Sequence, residues 1–128
     1  MALQFNGPLG AALWAAFAAE IPATGVLELR SGSMPAAGSA ATGTLIASYT
    51  LPATPWTVTN LALALTALAS FAAAASGTIG YFRVRNAADT RRFQGTCGTS
   101  GADLNWDNNV VNSGQTLQIP ASVTFTLP

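Results

Sequence analysis

The stretch Thr78 to Arg85 reads Thr-Ile-Gly-Tyr-Phe-Arg-Val-Arg. Side chains of an extended chain alternate between two faces. Ile79, either Tyr81 or Phe82, and Val84 can therefore face a core, while Arg83 and Arg85 share the opposite face. Asn86-Ala87-Ala88-Asp89 supplies turn chemistry, since Asn and Asp bond their own backbone and tolerate tight turns. Arg91 to Thr96 then returns, and residues 78–97 read as a β-hairpin with a loop of about five residues. A chain built around such a hairpin must cover one face with apolar groups and let the other carry arginine.

The same period recurs through most of the sequence. Val26, Leu27 and Leu29 with Glu28 and Arg30 make a short strand, and Thr44 to Leu51 makes another, closed by Pro52. Ser31 through Ser39 is a long polar loop. Thr57-Val58-Thr59 is β-branched and suits a strand. In the segment 60–76, Ala and Leu favour helix, yet Leu61, Leu63 and Leu65 alternate with small residues and nothing supplies a polar helical face. It is expected to be a strand followed by a second extended, Ala-rich piece. Leu104 to Val111 predicts one or two short strands, and Thr116 to Leu127 a last strand broken by Pro120. About seven or eight short strands with regular turns predict an all-β chain, one β-sandwich of jelly-roll or Ig-like type.

One helix is expected, over residues 6–21. Asn6 suits the cap and Pro8 the first turn. Leu9, Ala12, Leu13, Ala16 and Phe17 recur at helical spacing and predict the buried stripe, with Trp14 beside it. Pro22 disfavours helix at Ile21 and ends it. The expected organisation is an N-terminal helical arm over 1–24 and a β-sandwich over 25–128. No basic segment precedes the apolar run Leu9 to Ala19, so a secretory signal is not expected. Leu61 to Ala75 is shorter than the ~20 residues of a membrane span, and no membrane contact is expected.

Only 8% of the 128 residues are charged: Glu20, Glu28, Asp89, Asp103 and Asp107 against Arg30, Arg83, Arg85, Arg91 and Arg92. Soluble domains are usually about a quarter charged. So neutral a surface promotes association and points to a protein that works while packed against others. A net charge of zero lacks the basic field that nucleic-acid binding needs. His and Lys are absent, which removes Ser–His–Asp, Cys–His and P-loop chemistry. The glycine-rich Gly95 to Gly101 is therefore no phosphate loop, and an enzyme is not expected. Asp103 and Asp107 are the carboxylates nearest to a hydrolytic pair. With Asn105, Asn108 and Asn109 they also resemble the start of a calcium loop. The glycine turn and the distal glutamate of such a loop are missing, so an Asx-bonded turn is expected, with no metal and no cofactor. Cys97 stands alone and is expected to be a buried or half-buried thiol.

Interfaces are enriched in Trp, Tyr and Arg. Trp14, Trp56 and Trp106 each fall near a loop or helix surface, and Trp14 or Trp56 is expected to anchor an intermolecular contact. Phe17 on the helix and the Arg91-Arg92 pair after the turn complete the candidate interaction residues. For the arginines, a solvated face and a salt bridge to a neighbouring subunit are equally open. Trp56 or Trp106 could alternatively stack on a sugar ring, which would make the chain a carbohydrate-binding β-sandwich.

Five phrases, taken in order, carry a resemblance: Gly25 to Ala36 (GVLELRSGSMPA), Ala41 to Ala47 (ATGTLIA), Gly77 to Val84 (GTIGYFRV), Gly95 to Leu104 (GTCGTSGADL) and Val111 to Thr116 (VNSGQT). Together they resemble a family of small virion proteins encoded in the structural modules of tailed bacteriophages and prophages. The likeness runs from about residue 25 to the end and is looser over the helix. It implies a capsid-associated β-sandwich, a decoration or cement protein that binds the major capsid protein as a homo-oligomer, commonly a trimer. It also implies assembly in the host cytoplasm, a place in the virion and no catalytic residues. A tail or head–tail completion role is left open by the same likeness.

Overall fold

The computed structural model describes residues 3–65, 70–119 and 124–126. The described chain is mostly β, with one helix and several sheets. Helix α1 spans Gly7–Glu20. Asn6 caps it, its side-chain oxygen accepting from the Leu9 N–H at 3.1 Å, and the Ile21 N–H closes the last turn on the Phe17 carbonyl at 3.3 Å. Both ends lie where capping and Pro22 place them.

The buried stripe of α1 differs from the one predicted by spacing. Gly10 and Trp14 face inward, whereas Leu9 and Leu13 are 49% and 44% exposed. The reason lies in what the helix packs against. A Cβ on Gly10 would collide with the Leu61 side chain. The helix therefore approaches its neighbours closest at its smallest residue, and this rotation turns Trp14 inward. A buried tryptophan also removes more apolar area from water than a leucine does.

Among the described residues eleven strands follow: β1 (Val26–Ser31), β2 (Leu45–Thr50), β3 (Trp56–Thr59), β4 (Ala62–Leu65), β5 (Phe71–Ala72), β6 (Gly77–Arg85), β7 (Arg92–Gly98), β8 (Leu104–Asn105), β9 (Val110–Val111), β10 (Thr116–Leu117) and β11 (Thr124–Thr126). This exceeds the expected number because β5, β8, β9 and β10 are short pairings of two residues each. The expected extended pieces in 60–76 appear as β4 and β5; positions 66–69 lie outside the described residues, as does the predicted break at Pro120.

The main sheet runs β2-β1-β6-β7-β8, with β9 pairing the start of β6. All its pairings are antiparallel except β7 with β8. The hairpin predicted over 78–97 is β6 with β7, and Val84 pairs with Phe93. Smaller sheets are β11-β4-β3 and β10-β5.

Phe82 rather than Tyr81 faces the core. Register slips between Arg30 and Ser31, opposite Tyr81 and Ile79, so a bulge falls at Gly80. One extra residue flips the alternation. Ile79 thereby joins Phe82 and Val84 in the core, and Tyr81 is left with Arg83 and Arg85 on the other face. Leu27, Leu29, Ile46, Cys97, Leu104, Trp106 and Val111 belong to the same buried apolar cluster. Phe93 from β7 and Phe125 from β11 meet at 4.8 Å, joining the main sheet to the small one that carries α1.

Candidate functional site

Three of the predicted interaction residues lie together inside one subunit. Phe17 makes edge-on contacts with Trp14 and Trp56, both at 5.5 Å between ring centres, and with Phe93 at 5.3 Å. The Trp14 indole donates to the Leu61 carbonyl at 2.7 Å and the Trp56 indole to the Ile21 carbonyl at 2.9 Å. Both polar handles are thus satisfied within the chain, and they pin α1 to the small sheet. Trp14 is 8% exposed. Its area is committed to its own subunit, so of the two tryptophans expected to supply an intermolecular anchor it is Trp56 that keeps exposed surface. Trp56 stays half-buried.

Trp106, considered above for stacking on a sugar ring, is likewise 8% exposed. It packs near Cys97. Burial pushes the Cys97 thiol up to about 12; the neighbouring Trp106 indole works against that shift and the Asp103 charge adds to it. The indole N–H is close enough to influence the thiol, yet it meets no acceptor at hydrogen-bond geometry among the described residues.

Asp103 and Asp107 serve different places. The Asp103 carboxylate accepts from the Thr96 N–H at 3.0 Å and the Thr96 hydroxyl at 3.2 Å, stapling the loop after β7. Asp107 lines a separate cleft of about 370 Å³ with Asn105, Trp106, Asn108 and Gln115. The Asn105 amide is spent on both backbone groups of Ala102.

Arg91 and Arg92 sit at the hairpin end, where α1 meets β7. Arg91 pairs with Glu20 at 3.1 Å, both side chains more than half exposed, a geometry worth little to stability. Arg92 grips Asp89 with two bonds, 2.7 and 3.0 Å. That fork holds the Asp89 carboxyl below its usual range, against the opposing effect of its partial burial. Two clefts share this ridge. One, about 310 Å³, is lined by Ala16, Phe17, Glu20, Ile21, Arg91 and Arg92. The other, about 430 Å³, is lined by Ala37, Gly38, Asp89, Thr90, Arg91 and Arg92. Of the predicted set, Phe17, Arg91 and Arg92 therefore share one cleft.

The polar face of the main sheet was only half foreseen. Across the strands Glu28 stands opposite Arg83 and Arg83 opposite Gln94; Arg85 stands opposite Arg92, and Arg30 opposite Tyr81. Four arginines and two acids, Glu28 and Asp89, thus gather on or beside one face. The loop between β1 and β2, residues 32–44, lies over it as a strap. The strap holds on through its main chain. Arg83 donates to the Ser39 carbonyl, Arg92 to those of Ala37 and Ser39, Gln94 to that of Pro35, and the Tyr81 hydroxyl bonds both backbone groups of Thr42. Arginine at alternate positions of β6 was the legible signal. That an uncharged loop would cover it was not, because nothing in Gly32 to Thr44 pairs with arginine except its backbone.

The outward side of α1 is the second feature. From Gly7 to Ala19 the helix has no charged residue, and apart from the buried Trp14 no side chain that forms hydrogen bonds. Leu9, Ala12, Leu13, Ala15, Ala16 and Ala19 are all exposed on it, and Leu3 just before it is 60% exposed. No protein-family model, no curated protein and no solved structure matches the chain.

Proposed function

We propose that this chain is a virion structural protein without catalytic activity: a capsid decoration, or cement, protein that binds the major capsid shell as a homo-oligomer, with a trimer as the expected state. The sheets are taken to close as one β-sandwich over the Phe82–Phe93–Phe125 core, with α1 covering one side. The observation that supports the assembly reading most is α1 itself. A helix apolar all round belongs in an interior, yet here Leu9 and Leu13 remain 49% and 44% exposed. A contiguous exposed apolar patch marks a contact surface, and a surface with few charges lets backbones approach without the cost of desolvating ions.

The mechanism needs no reaction. A cement protein that binds the mature shell better than the immature one shifts the equilibrium by its difference in affinity. Repetition over a closed lattice multiplies a modest contact by avidity. The place in a virion rests on the five sequence phrases that resemble phage structural proteins.

Two measurements test the reading. Native mass spectrometry of the purified chain should give a discrete small oligomer; a large ring would favour the tail or head–tail completion role instead. Intact particles should contain the chain on the shell, and virions that lack it would overturn the proposal.

A further inference from the structure

Arg83 is the most deeply buried charge in the described chain, 1% exposed. Arg30 and Arg85 pair with Glu28, Arg91 with Glu20 and Arg92 with Asp89. Among the described residues, Arg83 alone has no carboxylate within ion-pair distance. Its Nε donates to the Gln94 side-chain oxygen at 3.0 Å and its Nη1 to the Ser39 carbonyl at 3.1 Å. Its Nη2 is buried and has no acceptor among the described residues.

A buried cation without a carboxylate bonded to it is costly, and an unfilled donor on it adds to the cost. The geometry around it has a specific form. Arg92 Nη1 also donates to the Ser39 carbonyl, at 2.9 Å. Two guanidiniums therefore converge on one neutral oxygen. The outer edge of a guanidinium presents two parallel N–H groups and matches the two oxygens of a carboxylate. A single carbonyl fills only half of that fork on Arg83. The cleft of about 430 Å³ over Ala37 and Gly38 opens beside this point and shares Arg92 with it. Ala36 to Ala40 are exposed, and open space surrounds Gly38.

We propose that Arg83 and Arg92 form a carboxylate-binding site, entered over Ala37 and Gly38, which the Ser39 carbonyl occupies when no partner is bound. The ligand is an acidic side chain on an extended segment of another protein. Its carboxylate takes both Nη groups of Arg83, and Arg92 adds a third donor. The strap segment Ala36 to Ala40 moves aside, and its polar groups pass to water. Nothing in this site depends on the chain being part of a virion.

The test follows the arginine Nε–H resonances of the intact chain by ¹⁵N NMR. Sodium acetate replaces sodium chloride at constant ionic strength, with sodium sulfate in a parallel series. The expected result is a saturable shift at Arg83 and Arg92 with acetate, accompanied by shifts in Ala37 to Ser39. Arg92→Gln, which changes a partly exposed side chain, should weaken acetate by about tenfold or more, the loss of one charge-assisted bond. Shifts that grow linearly without saturation, or that are confined to exposed Arg91, would overturn the site. Unchanged acetate affinity in Arg92→Gln would overturn it too. Tighter saturation by sulfate would assign the site to tetrahedral anions and overturn the carboxylate.

Discussion

Tyr81→Phe removes one oxygen from the fully buried tyrosine, 0% exposed, and leaves the ring in place. That oxygen donates to the Thr42 carbonyl at 2.6 Å and accepts from the Thr42 N–H at 3.0 Å. No cavity opens in the core, because Tyr81 lies on the strap side of the sheet. The cost is two hydrogen bonds and two backbone groups left without partners. Orphaned polar groups cost about 1–3 kcal/mol when sealed from water. Thr42 is itself exposed, so water can reach its backbone once the strap loosens, and the expected loss is about 1–2 kcal/mol. Unfolding entropy near 2.1 cal/mol/K per residue gives roughly 270 cal/mol/K for this chain, so the melting temperature should fall by about 4–7 °C. Calorimetry measures that fall. Hydrogen exchange should show the Thr42 amide losing protection while β1, β6 and β7 keep theirs. A loss below about 0.3 kcal/mol, or protection lost evenly across the sheet, would refute the view that Tyr81 is the tether of the strap.

Gly80→Ala puts a Cβ into the Gly32 carbonyl, and it should cost roughly 2–4 kcal/mol in urea unfolding because backbone must move. A loss under about 1 kcal/mol would mean that the bulge adapts. Burial lifts the Cys97 thiol from 9.0 to about 12, so the folded state holds its proton where the unfolded chain has released it. The stabilisation is complete below pH 9 and is lost as pH rises towards 12, by about 1.4 kcal/mol per pH unit. The wild type should therefore lose stability faster than Cys97→Ala over that window, and parallel curves would contradict the shift. Leu13→Glu should leave the unfolding free energy of the subunit within about 0.5 kcal/mol of wild type, as an exposed substitution does, while sedimentation shows the proposed homo-oligomer dissociating. An unchanged oligomer would remove α1 from the interface.

The hairpin of β6 and β7 was legible because its alternation, its turn residues and its arginines agree. The start and stop of α1 were legible from Asn6, Pro8 and Pro22. The rotation of α1 was not, since spacing alone cannot choose between Leu9 with Leu13 and Gly10 with Trp14. The choice depends on Leu61, which is about fifty residues away in sequence and presses on Gly10. The same limit applies at Gly80. A lone glycine inside a strand hints at a bulge or a close approach, and here it is both. Tyr81 or Phe82 could not be told apart as the core residue until the bulge set the phase. Phe17, Arg91 and Arg92 were found as candidates by residue type, but Arg83 was read only as one member of an outward face. Its burial follows from the strap, whose sequence of small, uncharged residues gives no sign of what it covers.

A net charge of zero conceals an uneven distribution. Four of the five arginines lie on or beside the strap side of the main sheet, matched there by Glu28 and Asp89 alone. The exposed side of α1 carries no charge before Glu20. Between them lies the aromatic core, in which Phe17 touches Phe93 and Phe93 touches Phe125. The two features have opposite chemical needs. An apolar helix face is matched by another apolar face and is indifferent to ionic strength. A buried guanidinium is matched by an anion, and its attraction weakens as salt screens the approach. A chain that used both would join copies of itself through one and hold an acidic segment through the other, and salt would separate the two. Raising ionic strength with chloride should leave a contact through α1 standing while it loosens a carboxylate held by Arg83 and Arg92.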